Sequence, residues 1–100
     1  MSHFSMTVPH KLESEEALRR TRSLLDELTK QYASSITGLH EEWDGNVGKF
    51  QLVVMGQQIT GTITVTGSGV DISGDLPFAA VFFRAQIEAA IRDRAATLLS

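Results

Sequence analysis

The sequence predicts an α+β domain, an antiparallel sheet in the order β-α-β-β-β-β-α with both helices packed on one face. Three observations carry that expectation. Between Leu39 and Leu76 four apolar-alternating segments follow one another through short glycine-containing connections, whereas parallel strands would need a crossover of a dozen or more residues at each step. Upstream, residues 14–32 repeat apolar side chains at intervals of three and four, the period of an amphipathic helix. Downstream, Leu76-Pro77-Phe78 leads into an alanine-rich segment that regains this period as far as Leu99.

Taken in order, Phe4, Met6 and Val8 alternate with Ser5 and Thr7 until Pro9, which suits a short edge strand that pairs either with this sheet or with another chain. The first helix opens at Ser14-Glu15-Glu16, with Glu13 or Ser14 as its cap and carboxylates facing the positive end of the macrodipole. Ala17, Leu18, Thr21, Leu24, Leu25, Leu28 and Tyr32 form its apolar stripe, while Glu15–Arg19, Glu16–Arg20 and Asp26–Lys30 are pairs four apart on a solvated face. After Ala33-Ser34-Ser35 the period drops to two. Leu39, Glu41 and Trp43 then share one side, His40, Glu42 and Asp44 the other, and Trp43 is expected inside the core. Gly45-Asn46, with Gly48 close by, makes a turn, and Phe50, Leu52 and Val54 define the next strand. Met55-Gly56-Gln57-Gln58 turns again, and Ile59, Gly61, Ile63 and Val65 oppose the threonines at 60, 62, 64 and 66. Gly67-Ser68-Gly69 leads to Val70, Ile72, Gly74 and Leu76. Gly61 and Gly74 stand at inward positions, which marks a bulge, a bend or the close approach of a packed helix.

Pro77 suits the first turn of the closing helix. Phe83, Ile87, Ala90, Ile91 and Leu98 make its core stripe, and Phe83 is assigned to the core. Three phenylalanines within six residues exceed one narrow stripe, so the helix start is either sandwiched, the expectation for a small domain, or leaves an aromatic patch for a partner. Phe78 and Phe82, four apart, are the candidate partner or ligand surface.

A chain of 100 residues, about half of them apolar, is read as one domain over 1–100. Folded alone it buries well under about 70% of its unfolded surface, so a homodimer that hides more is physically reasonable. Net charge of −3 gives no basic footprint for nucleic acid, and the absence of cysteine removes disulfides and thiolate zinc sites. The stretch Met1–Met6 lacks the basic start and apolar run of a secretory signal, and no segment approaches the roughly 18 apolar residues of a membrane span. The expectation is a cytoplasmic protein with no transmembrane segment.

The residues carry little chemistry. His40, Glu42 and Asp44 at i, i+2 and i+4 are a conceivable chelating row, but the alternation that turns Trp43 inward turns them to water. Glu41 and Glu42 point to opposite faces and make no acid–base dyad. His10 and Lys11 precede a helix start where an anion could rest, or form an ordinary polar loop. Arg19, Arg20 and Arg22 are compensated by neighbouring acids and lack interleaved aromatics. No catalytic, cofactor-binding or metal-ligating residue is assigned, and no enzyme is expected.

Pro9-His10 followed by Leu12 and Glu15-Glu16-Ala17, Trp43 then Gly45, Gly61-Thr62-Ile63-Thr64-Val65, Leu76-Pro77 and Ile87-Glu88-x-x-Ile91-Arg92 together resemble the putative polyhydroxyalkanoic acid system proteins, the polyhydroxyalkanoate granule-region family. The likeness runs from about Val8 to Leu99. Ser14 stands where the family often starts its helix with proline, and the loop from Gly45 to Gly48 is slightly longer. The resemblance implies a genetic setting near synthesis or regulation of the intracellular storage polyester, and it brings no catalytic residues to transfer. It implies an accessory protein, free in the cytoplasm or granule-associated, whose partners would be the polyester granule surface, a granule coat protein or the synthase. The alternative is a module that encloses an acyl-like ligand between the curved sheet and the Phe78–Phe83 segment.

Overall fold

The structure, a computed structural model, describes residues 2–100; Met1, where the N-terminal stretch begins, lies outside them. Strand β1 (Ser2–Pro9) is followed by helices α1 (Ser14–Thr21) and α2 (Leu24–Gln31), then by β2 (Ile36–Asp44), β3 (Val47–Val54), β4 (Gln57–Val65) and β5 (Gly69–Leu76). A 3-10 helix (Phe78–Phe83) and α3 (Arg84–Leu99) close the chain. The five strands form one antiparallel sheet in the order β1-β5-β4-β3-β2. The meander and the α+β class are those the periodicities predict, and β1 returns to pair along its whole length with β5.

The core lies between one sheet face and the helices. Phe4, Met6 and Val8 of β1, Ile72 and Leu76 of β5, Ile59 and Ile63 of β4, and Phe50 and Leu52 of β3 are buried against Ala17, Leu24, Leu25 and Leu28 and against Ile91, Ala95 and Leu99. The opposite face carries mostly polar side chains.

Two helices depart from the sequence reading. The apolar stripe from Ala17 to Tyr32 predicts one continuous helix, whereas α1 ends at Thr21 and α2 starts at Leu24. The Ser23 N–H closes a tight turn on the Arg20 carbonyl (3.1 Å), and Ser23 Oγ bonds the same oxygen (2.7 Å). The backbone turn interrupts the i−4 ladder and the serine hydroxyl reinforces it; the joint lets two short helices follow a twisted sheet. At the other end, Phe78–Phe83 is a 3-10 turn entered through Pro77 and not the first turns of an α-helix.

Gly61 and Gly74 pair with each other across β4 and β5 in unbroken register, so neither marks a bulge. An aromatic ring from the next strand fills each vacancy. A Cβ on Gly61 would fall inside 3.0 Å of the Phe50 ring and the Ser73 carbonyl, and one on Gly74 would sit 2.8 Å from Phe4 and 2.5 Å from the Thr60 carbonyl. Gly48 is covered in the same way by Trp43, whose ring would stand 2.6 Å from a Cβ there. The rings lie on glycine backbone, a device that lets a sheet coil without leaving holes. This use costs Trp43 its expected place inside the core: on the edge strand it is only partly buried, with the Arg22 guanidinium 5.6 Å above its ring.

Candidate functional site

The second half of α3 seals the sheet, while its first half stands away from it. On the inner face Ile91, Ala95 and Leu99 are buried, whereas Ile87 one turn earlier is half-buried and Phe83 at the helix start is exposed. Beneath that overhang lies an apolar cavity of about 330 Å³. Its floor is Phe50, Leu52, Val54 and Ile59 of β3 and β4; its walls are Leu28, Ile36, Ile87, Ala90 and Ile91, and Ala79 and Ala80 of the 3-10 turn. The volume is at the lower end of ligand-binding cavities. Polar side chains enter only from Tyr32, Ser35, Gln57 and Gln86, and no acidic or basic residue lines the space.

The mouth is apolar too. Met55, Phe83 and Tyr32 border it, 63%, 45% and 37% exposed. Beside it the 3-10 turn presents Phe78 and Phe82, 81% and 82% exposed, together with Val81. These six are the exposed large hydrophobic side chains among the described residues. The antiparallel register gathers them at one end of the molecule, since the β3–β4 turn and the end of β5 lie side by side.

Phe78 and Phe82, the surface suggested from sequence, therefore stand free of the core. Phe83 does not join it: assigned there from α-helical spacing, it stands at the cavity mouth, and the sandwiched reading of the three phenylalanines fails. The reason is position along the helix: Phe83 lines the same cavity wall as Ile87 and Ile91, as the stripe predicts, but it stands at the start of α3, where that wall opens to solvent.

Met55, expected from the sequence only as part of a turn, also lines the cavity. It occupies the left-handed region at φ 52°, followed by Gly56 at φ 80°, so the β3–β4 connection is a two-residue turn with both central residues at positive φ. Asparagine or glycine normally fills the first place. A methionine there is strained, and such strain concentrates at functional sites. The Met-Gly pair between two apolar-alternating strands was the available signal.

The polar candidates all lie outside this cavity. His40 Nε2 and Glu42 Oε1 stand 3.3 Å apart and well exposed on the outer face, Asp44 is exposed beside the hairpin, and no group of three potential metal-binding side chains occurs among the described residues. A shallow hollow of about 580 Å³ spreads over this face from His3 and Asp75 to His40 and Lys49. Its lining is the solvated side of the strands, without a desolvated group to bind a ligand. Glu41 does face inward: Oε1 accepts from Trp43 Nε1 at 3.4 Å, Oε2 is buried without a partner, and burial, aided by the nearby Asp26 charge, pushes its carboxyl above the usual range.

His10 is a buried strut and not an anion site. Nδ1 accepts the Leu12 N–H (3.1 Å), so Nε2 carries the proton it donates to the Thr66 carbonyl (2.9 Å). The arginine cluster is also committed. Arg19 and Arg20 both bind Glu16 rather than following the Glu15–Arg19 pairing, and Arg20 reaches the Leu98 and Ser100 carbonyls at the end of α3. Hydrogen bonds from these two arginines hold the Glu16 carboxyl down at about 2.

Comparison with solved structures finds the same fold in the Aha1 dimer from Colwellia psychrerythraea, at 15% identity and a TM-score of 0.57, covering 99% of this chain and 94% of that one. TTHA0849 from Thermus thermophilus (15% identity, TM-score 0.42, 98% and 92% coverage) and Ara h 8.0201 (14%, 0.44, 98% and 97%) are more distant. Comparison with curated proteins returns no match. The sequence itself is more specific than the fold: a family model described as "Putative polyhydroxyalkanoic acid system protein" matches residues 4–99. With nearly the whole chain covered, the protein belongs to this polyhydroxyalkanoate granule-region family.

Proposed function

We propose that this protein is a non-enzymatic accessory of polyester storage that grips an apolar, uncharged polymer surface. The 3-10 turn carrying Phe78 and Phe82 rests on that surface, and the adjoining cavity takes a chain segment or alkyl side group. The observation that supports this reading most is the junction of an uncharged cavity with the exposed large hydrophobic side chains of the described residues. A free carboxylate or phosphate would find no cation in the lining, whereas an ester matches its few neutral polar groups. No histidine or carboxylate lines the cavity to act as a base beside Ser35 or Tyr32. Family membership supplies the setting.

The test is co-sedimentation with amorphous polyhydroxybutyrate particles. The native chain should pellet with them, and the double variant Phe78→Ser/Phe82→Ser should stay in the supernatant while melting near the native temperature. Normal pelleting of the double variant sinks the surface reading. Turnover of a hydroxyacyl ester, abolished by one polar substitution, would make the protein an enzyme instead. The cavity favours a second reading, a carrier of a single acyl-like ligand. In that case native mass spectrometry should show a short neutral oligoester bound by the native chain and the double variant alike, with Ala90→Phe blocking both.

A further inference from the structure

The sheet ends in two free edges, and the chain treats them differently. β2 is protected. Its register slips by one residue between Ile36 and Gly38, Glu41 points a carboxylate inward beneath the edge, and pairing β2 with a second β2 about Glu41 or about Glu42 would set that carboxylate against its own copy. Bulges and inward charges are devices that stop edge-to-edge association, and like charges placed opposite one another oppose it further. β1 has none of these. It pairs with β5 over eight residues without irregularity, its inward side chains Phe4, Met6 and Val8 are apolar, and its exposed ones are His3, Ser5 and Thr7.

The ladder shows which groups are open. The His10 N–H donates to the Ser68 carbonyl at 3.0 Å. Antiparallel bonding alternates, so Val8, Met6 and Phe4 exchange bonds with β5 and the odd residues direct their backbone the other way. Pro9, which has no N–H to offer, falls in that outward phase as an edge proline should. His3, Ser5 and Thr7 are left with N–H and C=O groups facing outward along a regular strand with no carboxylate of its own; Asp75 and Asp71 of β5 bond the His3 and Thr7 side chains at 3.3 and 2.7 Å.

We propose that β1 is a dimerisation edge, two copies pairing antiparallel about a two-fold axis at Ser5 to join two five-stranded sheets into one. In this register Ser5 faces Ser5 of the second copy and His3 faces its Thr7, which gives three fully bonded pairs, while Phe4 meets Met6 on the inner face. A second copy is the occupant because the strand is self-complementary in this register and brings no carboxylate of its own to the axis.

The full chain is examined by sedimentation velocity and by cysteine cross-linking, for which the native sequence offers no competing thiol. The native protein should run as a dimer at high micromolar concentration. Ser5→Lys sets two ammonium groups face to face and should weaken dimerisation about tenfold or more, with an unchanged far-ultraviolet spectrum. Ser5→Pro deletes one donor per copy and should act likewise. In a bonded pair the Cα atoms stand about 5.5 Å apart, within disulfide reach. Ser5→Cys should therefore cross-link under mild oxidation, and Glu42→Cys on β2 should not. A native monomer, equal cross-linking of both cysteine variants, or a folded Ser5→Lys protein that dimerises as before would each overturn the proposal.

Discussion

Gly61 shows how much a missing side chain can decide. The Phe50 ring and the Ser73 carbonyl both occupy the space its Cβ would take, and the carbonyl belongs to backbone that cannot rotate aside. Gly61→Ala should cost about 2–3 kcal/mol through overpacking, read as a lower denaturation midpoint at unchanged slope. Trp43→Ala should cost about 2 kcal/mol, short of the ~3–5 of a fully enclosed aromatic, because the ring is only partly buried over Gly48 and beneath Arg22. Met55 makes the opposite prediction. Replacing it with asparagine relieves a left-handed methionine and should stabilise the fold by about 1 kcal/mol, yet it removes an apolar side chain from the cavity mouth. The melting temperature should rise while affinity for a neutral oligoester falls; unchanged affinity would remove Met55 from the site.

At the scale of elements, the 3-10 turn separates stability from binding. Phe78 and Phe82 are more than four-fifths exposed, and exposed positions change stability by about 0.5 kcal/mol at most. Phe78→Ser and Phe82→Ser together should therefore leave the denaturation midpoint nearly unmoved while abolishing binding to polyester particles. Phe83→Ser should fall between, with a measurable loss of stability from its contact with the cavity wall. The break between α1 and α2 has a matching logic: the Ser23 hydroxyl bonds the Arg20 carbonyl, so Ser23→Ala should leave the joint in place, held by backbone alone, and lower stability by about 1 kcal/mol.

The whole molecule, 38 by 23 by 23 Å, divides its surface into an apolar end, a polar sheet face and a charged helical side. None of the helices among the described residues is long and apolar enough to cross a membrane. Two carboxylates give the molecule opposing responses to pH. Glu16, held down at about 2 by hydrogen bonds from Arg19 and Arg20, contributes stability that is present above its unfolded value and is lost as pH falls toward 2. Glu41, raised by burial and by Asp26, binds its proton more tightly when folded, so stability declines as pH rises through its titration. Glu41→Gln should remove that decline and raise the melting temperature at neutral pH relative to native, with little difference in acid. An identical pH profile for the two proteins would show that Glu41 titrates as it does in the unfolded chain.

The meander, both helical segments and the inward set from Phe50 to Leu76 were readable because each depends on periodicity and turn chemistry, which are local. The exposed Phe78 and Phe82 were visible as an excess over one stripe, although their geometry was not. A helical period cannot tell whether the turn that carries a stripe lies on the sheet or opens to solvent, and that difference left Phe83 at the cavity mouth. Nor does alternation say that an aromatic ring will lie on a glycine of the neighbouring strand, because that follows from cross-strand register. Local pattern was thus enough to tell which residues form strands and helices and which sheet face is apolar. Packing in three dimensions was needed to close β1 on β5, to hang α3 over an uncharged cavity, and to bring six hydrophobic side chains together at and beside its mouth. Those outcomes come from how far one packed element stands from another, a distance no single segment encodes.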